Sequence, residues 1–128
     1  MKILHVEDNE SLAESYKRRV QEAYPEIEIL QAASYDEAAE LLRKNEFDLI
    51  VSDFSFPGKG FLRYSGGMEL FRLVIEEYPK TPVHFLSNMA SSIKNYLDKC
   101  RLSLRTEDKI FCKGSQRALF EAFGQKVP

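Results

Sequence analysis

The sequence predicts a doubly wound α/β fold of five strand–helix units, (βα)₅, and three observations carry that prediction. Short apolar, β-rich runs alternate five times with stretches at helical spacing, with no residues left over. The middle run, Phe47-Asp48-Leu49-Ile50-Val51, is nearly continuously apolar, as suits a central parallel strand covered on both faces. Finally, four runs end on polar residues: Glu7-Asp8, Asp53, Ser87 and Lys113. In a parallel sheet every strand's C-terminal end opens onto one edge, so these side chains are expected to share a crevice.

The first strand is predicted over residues 2–6. A helix follows, capped near Asn9 or Ser11, with Leu12, Ala13, Tyr16, Val20 and Ala23 along one face and Tyr24-Pro25 at its end. Ile27 and Ile29 mark a short second strand. Ser34 caps the second helix and Glu37, three residues on, completes a capping box; Ala38, Ala39, Leu41 and Leu42 form its apolar face.

After the central strand, residues 54–67 hold four glycines and one proline and read as a long loop. Met68, Leu70, Phe71, Val74 and Ile75 then give a third helix that stops before Pro79. Residues 82–86 read as the fourth strand, 91–100 as the fourth helix and 103–108 as a polar connection. The fifth strand runs to Cys112, and Gly114-Ser115 leads into a short last helix bearing Leu119, Phe120 and Phe123.

A chain of 128 residues fits a single domain spanning 1–128, long enough to bury a core without staples. Its net charge of -2 argues against nonspecific nucleic-acid binding, and no direct nucleic-acid contact is expected. Cys100 and Cys112 lack the number and spacing of a disulfide or zinc framework. Cys112, in an apolar run, is expected to be a small buried hydrophobe. The first apolar run breaks at once into Glu-Asp-Asn-Glu, unlike a signal peptide, and no stretch approaches the ~20 apolar residues that span a bilayer. A cytoplasmic location without membrane insertion is the expectation.

Adjacent carboxylates such as Glu7 and Asp8 repel unless they share a cation. With Asp53 on the same edge they suit Mg²⁺, a hard ion that takes carboxylate and phosphate oxygens. The plainer role for Glu7-Asp8 is a charge pair at a helix N-terminus. Asp53 follows a buried strand, where a carboxylate beside a metal can attack a phosphoryl donor; otherwise it is a turn-former. Lys113 would reach across to phosphoryl oxygens. None of these positions is decisive alone, and the reading rests on their joint placement.

The segments Ile3-Leu4-His5-Val6-Glu7-Asp8-Asn9, Asp48-Leu49-Ile50-Val51-Ser52-Asp53 and Ile110-Phe111-Cys112-Lys113 resemble the receiver domain of two-component response regulators, over essentially the whole chain. The resemblance implies a flavodoxin-like sheet of strand order 2-1-3-4-5. It implies that Asp53 accepts a phosphoryl group from a sensor histidine kinase or a histidine phosphotransfer protein. It implies Mg²⁺ held by Asp8, Asp53 and the backbone carbonyl of Ser55, with Glu7 acting mainly through a metal-bound water. Lys113 would pair with the phosphoryl group and Ser87 would swing inward to bond it, changing how the face of the fourth helix, fifth strand and last helix meets an unknown downstream protein.

Four departures from the family pattern stand out. Gly114 follows Lys113 where receivers usually have proline, removing a rigid turn. The position of the family's switch aromatic is Ile110, and Phe111, one residue on, points to the opposite face. The loop after Asp53 is several residues long in excess and carries Lys59, Phe61, Arg63 and Tyr64; a lid, a partner contact and a tolerated insertion all fit it. The connection bearing Arg101, Arg105 and Lys109 is also extended, either near the signalling face or simply solvated.

The chain ends about one helix after Lys113, as in a stand-alone receiver or a fragment of a larger regulator. The expected protein is a phosphoacceptor switch rather than a turnover enzyme. Two rivals differ in class. One is a pseudo-receiver that binds partners without phosphorylation. The other is a hydrolase working through Asp53, which would need a second acid/base where Ser55 stands.

Overall fold

The computed structural model describes residues 1–128. Strands β1 (Lys2–Val6), β2 (Glu28–Ala32), β3 (Leu49–Ser52), β4 (Val83–Ser87) and β5 (Lys109–Cys112) alternate with helices α1 (Glu10–Ala23), α2 (Tyr35–Lys44), α3 (Gly66–Glu77), α4 (Ala90–Lys99) and α5 (Gln116–Ala122). All five strands are parallel, in the order β2-β1-β3-β4-β5. This is the doubly wound, flavodoxin-like sheet expected from the sequence.

Alternating side chains divide the core between the two faces of the sheet. Leu4, Val6, Ile50, Val83 and Phe85 pack against Leu42 of α2, Phe71 and Val74 of α3, and Ile93 and Leu97 of α4. Ile3, Ile29, Leu49, Val51 and Leu86 face the other way, onto Tyr16 and Val20 of α1 and Leu119, Phe120 and Phe123 at α5. Central β3 is buried throughout, whereas edge strand β5 is only partly covered. That edge position overturns the expectation for Cys112, which is exposed.

Helix starts follow local chemistry. Asn9 caps α1 through Leu12 N–H at 3.0 Å, Ser34 caps α2 through Glu37 N–H at 3.2 Å, and Ser115 caps α5 through Ala118 N–H at 3.0 Å. α3 begins at Gly66, inside the segment read from sequence as loop. The amides of Gly66 and Gly67 donate to Phe56 O and Phe54 O, both at 3.0 Å. A Cβ on Gly67 would lie 2.3 Å from the Phe54 carbonyl oxygen, so the glycines are there to let helix and loop backbone touch.

The rest of that segment is also ordered. A single 3₁₀ turn, Lys59–Phe61, is held by Gly60 N–H on Asp36 Oδ2 and Lys59 N–H on Glu69 Oε1, each at 3.1 Å. In the connection before β5, Arg105 is a brace. Its guanidinium bonds Asp108, Pro79 O and Thr81 O at 2.8–3.0 Å and lies over the Phe71 ring. No helix is long and apolar enough to cross a membrane.

Candidate functional site

The strand order puts β1 and β3 side by side with Val6 opposite Ser52, so both chains leave the sheet at one level. Asp53 N–H then donates to Val6 O (2.9 Å) and Glu7 N–H to Ala32 O (3.0 Å), extending the pairing by one residue into the crevice. Carboxylate oxygens of Glu7, Asp8 and Asp53 fall within 4.8 Å of one another.

Lys113 enters from the far edge. β5 pairs with β4 so that Cys112 lies opposite Ser87, and Lys113 N–H donates to Ser87 O at 3.1 Å. The side chain crosses the sheet edge, and its Nζ donates to Glu7 Oε1 (2.6 Å) and to Asp53 Oδ2 (2.8 Å). The other Asp53 oxygen accepts from Phe54 N–H (2.6 Å), and Glu7 Oε2 from Asn9 N–H (3.2 Å). Lys113 makes this reach without a proline behind it and without a cis bond; Gly114 instead adopts φ +121°.

Burial and charge oppose each other here. Burial raises the Glu7 carboxyl above the ordinary carboxylate range, although its bond to Lys113 pulls the other way. Burial also works against the Lys113 ammonium, but its hydrogen bonds to Asp53 and Glu7 and their negative charge outweigh it, so its proton is held more tightly than usual. Three carboxylates against one ammonium leave an excess of two negative charges in the crevice when all are ionised.

This donor set fits a hard divalent cation. The carbonyls of Phe54 and Phe56 are taken by Gly67 and Gly66, while that of Ser55 between them has no backbone partner. Carboxylate and carbonyl oxygens with two uncompensated charges suit Mg²⁺ rather than a soft transition metal. Asp8, Asp53 and the Ser55 carbonyl, with Glu7 alongside, are the groups that would hold it.

The family model of the response regulator receiver domain matches residues 3–120. The chain belongs to that family. Among solved structures, the receiver is similar to the chemotaxis response regulator CheY4 of Vibrio cholerae, with 25% identity over 96% of this chain and 95% of that one and a TM-score of 0.74. It is also similar to the non-phosphorylated HemR receiver domain of Leptospira biflexa, with 25% identity, 99% and 97% coverage and a TM-score of 0.71. A third, the receiver domain of the Francisella response regulator 1452, gives 26% identity, 88% and 83% coverage and a TM-score of 0.66. No curated protein sequence matches the chain.

Of the residues marked in the sequence, the receiver's structure brings Glu7, Asp8, Asp53 and Lys113 together. Ser87 lies at the end of β4, buried, with its Oγ accepting from Met89 N–H at 3.0 Å and bonded to neither Asp53 nor Lys113. Ile110 packs with the α2–α3–α4 core and Phe111 with the α1–α5 core, as the strand alternation requires. The aromatic ring that meets α4 comes from elsewhere: Phe54 sits against Tyr96 of that helix, with ring centroids 5.9 Å apart.

Two neighbours of the site went unmarked in the sequence. Ser52 Oγ donates to Asp53 O at 2.6 Å. His5 is fully buried, with Gln31 Nε2 3.2 Å from its Nδ1; burial, aided by the Lys113 charge, lowers its pKa to about 3, so the ring is neutral. The only available signal was a polar residue at an inward position of β1.

Proposed function

We propose that this receiver domain accepts a phosphoryl group on Asp53 from a phosphohistidine of a sensor kinase or histidine phosphotransfer protein, in a Mg²⁺-dependent reaction. The observation that carries the proposal is Lys113 Nζ bonded to both Glu7 and Asp53, with Asp8 beside them. A carboxylate, a matching cation and a divalent-ion donor set within one crevice are what in-line phosphoryl transfer needs.

A carboxylate oxygen of Asp53 forms the new P–O bond as the P–N bond to the donor imidazole breaks; the imidazole keeps the electron pair. Bound Mg²⁺ would spread the charge that develops on the phosphoryl oxygens. Phe54 N–H orients the Asp53 carboxylate. Lys113 exchanges its bond to Asp53 for one to a phosphoryl oxygen. Ser87 Oγ accepts from Met89 and donates to nothing, so its proton is available to the phosphoryl group.

The protein then works as a signalling switch in the cytoplasm rather than as a turnover enzyme. A pseudo-receiver role gains no support from this geometry, because Lys113 reaches the carboxylates despite Gly114. A hydrolase role also lacks support, since Ser55 offers no general base beside Asp53. Intact-mass spectrometry after incubation with acetyl phosphate tests the proposal. One added phosphoryl group is expected, absent without Mg²⁺ and absent in Asp53→Asn. No adduct on the wild-type chain with Mg²⁺ present would sink it.

A further inference from the structure

We infer that the 3₁₀ turn between β3 and α3 is a docking site for an acidic protein segment that carries apolar side chains. Six large apolar side chains are exposed on this protein, and three of them, Phe61, Leu62 and Tyr64, stand within four consecutive residues at 64%, 85% and 67% exposure. Two of the others, Met1 and Val127, lie at or beside the chain ends. A concentrated apolar patch on an otherwise charged surface marks an interaction site, whereas scattered ones do not.

The patch is preorganised. Gly58 N–H donates to Arg63 O (2.6 Å), closing the turn on itself, while Asp36 and Glu69 hold the amides of Gly60 and Lys59. Phe61 sits at φ +61°, a conformation costly for a bulky side chain, and in it the ring is directed to solvent rather than into the core. The fold thus spends strain to display an aromatic ring. Rigid, displayed aromatic residues are the usual anchors of protein interfaces.

Charge selects the partner. Lys59 precedes the three apolar side chains and Arg63 stands between Leu62 and Tyr64, and neither takes part in any of the ion pairs of this protein. Asp36 and Glu69, the carboxylates that reach this turn, bond its backbone amides rather than either cation. Two free cations on a chain of net charge -2 complement an acidic segment. They fall short of the clusters of about four to eight basic residues that hold proteins on anionic bilayers.

The test is a displayed random-peptide library selected on the intact, unphosphorylated chain, with counter-selection on a Phe61→Asn/Leu62→Ser/Tyr64→Ser variant. Using the unphosphorylated chain makes the result independent of whether Asp53 accepts a phosphoryl group. Enriched peptides are expected to combine Asp or Glu with Leu or aromatic residues. They should shift the amide resonances of residues 59–64 and bind the triple variant at least tenfold more weakly. Lys59→Glu/Arg63→Glu, a surface change that keeps the fold, should reverse the charge preference. Phosphatidylserine/phosphatidylcholine vesicles run alongside. Peptides of no charge preference, shifts confined to other surfaces, no enrichment over the variant, or binding to vesicles alone would each overturn the inference.

Discussion

The Tyr96 ring on α4 lies 5.9 Å from that of Phe54, whose own N–H is bonded to the Asp53 carboxylate at 2.6 Å. Phe54 also meets Phe85 edge-on at 5.5 Å. The residue that orients the candidate phosphoacceptor therefore touches the surface of α4 directly. Any rotation of the Asp53 carboxylate pulls on an amide whose side chain is wedged against α4. Tyr96→Ala should leave phosphoryl labelling of Asp53 intact but shrink the labelling-induced amide shifts of α4 by half or more. Its stability cost should stay at about 1 kcal/mol, since the ring is half exposed. Undiminished α4 shifts would mean that coupling runs by another route.

Asp8 has no hydrogen-bond or ion-pair partner, although Lys113 serves both Glu7 and Asp53. In the ion-free protein it adds a third negative charge beside Glu7 and Asp53, offset only by the start of α1 and the single Lys113 ammonium they share. Asp8→Asn is expected to raise chemical stability without Mg²⁺ by about 1 kcal/mol, the size of one like-charge contact at about 4 Å fully screened by water. The same change should weaken Mg²⁺ binding by about tenfold or more, since a proposed ligand loses its charge. Urea unfolding and isothermal titration, compared with wild type, would show both effects in opposite directions.

His5 makes stability depend on pH. In the unfolded chain it titrates at 6.5, and in the fold at about 3. Between those values the unfolded chain binds a proton that the folded chain does not, so the stabilisation is whole above 6.5 and is lost as pH falls toward 3. The slope for one proton is about 1.4 kcal/mol per pH unit. Glu7, whose carboxyl burial raises in the fold, acts in the opposite sense, so the His5 contribution is read as the difference from His5→Gln, in which Glu7 is unchanged. Urea unfolding between about pH 7 and pH 5 should show the loss in wild type and not in His5→Gln.

Arg105 holds a carboxylate that nothing else neutralises. The Asp108 side chain is fully buried, accepting also from Val83 N–H (2.8 Å), while the Arg105 side chain is 27% exposed. Arg105→Ala strands that charge and frees the carbonyls of Pro79 and Thr81. The expected cost is about 2–3 kcal/mol, below the full penalty for a buried pair because solvent reaches the guanidinium. Replacing both partners, Arg105→Leu with Asp108→Asn, should recover part of it. Thermal unfolding of the three variants decides.

The strands and the cluster of Glu7, Asp8, Asp53 and Lys113 were legible because most left a local mark, an apolar run broken by a charged residue, whereas the strand order came from the receiver resemblance. What escaped was set by distant contacts. The glycines at 66 and 67 read as loop, yet they begin α3 because Phe54 and Phe56 run against them. Cys112 reads as core, but β5 is an edge strand with only one neighbour. Arg105 sat in a polar connection that resembled solvated chain, and its partners Pro79 and Thr81 are more than twenty residues away. Ser87 was correctly placed at a strand end, but its rotamer answers to Met89 N–H, which sequence does not disclose.

Gly114 has open space where a side chain would go: an added Cβ would find no atom within 4 Å. Yet its φ of +121° is closed to every other residue without strain, and it sits directly behind the lysine that crosses the crevice. A map of mutational tolerance across this protein should therefore contain an anomaly. One exposed position, where an added side chain would have room, should prove as intolerant as the carboxylates themselves. Its intolerance would come from geometry alone, with proline, the residue most at home there in other receivers, among the poorest replacements.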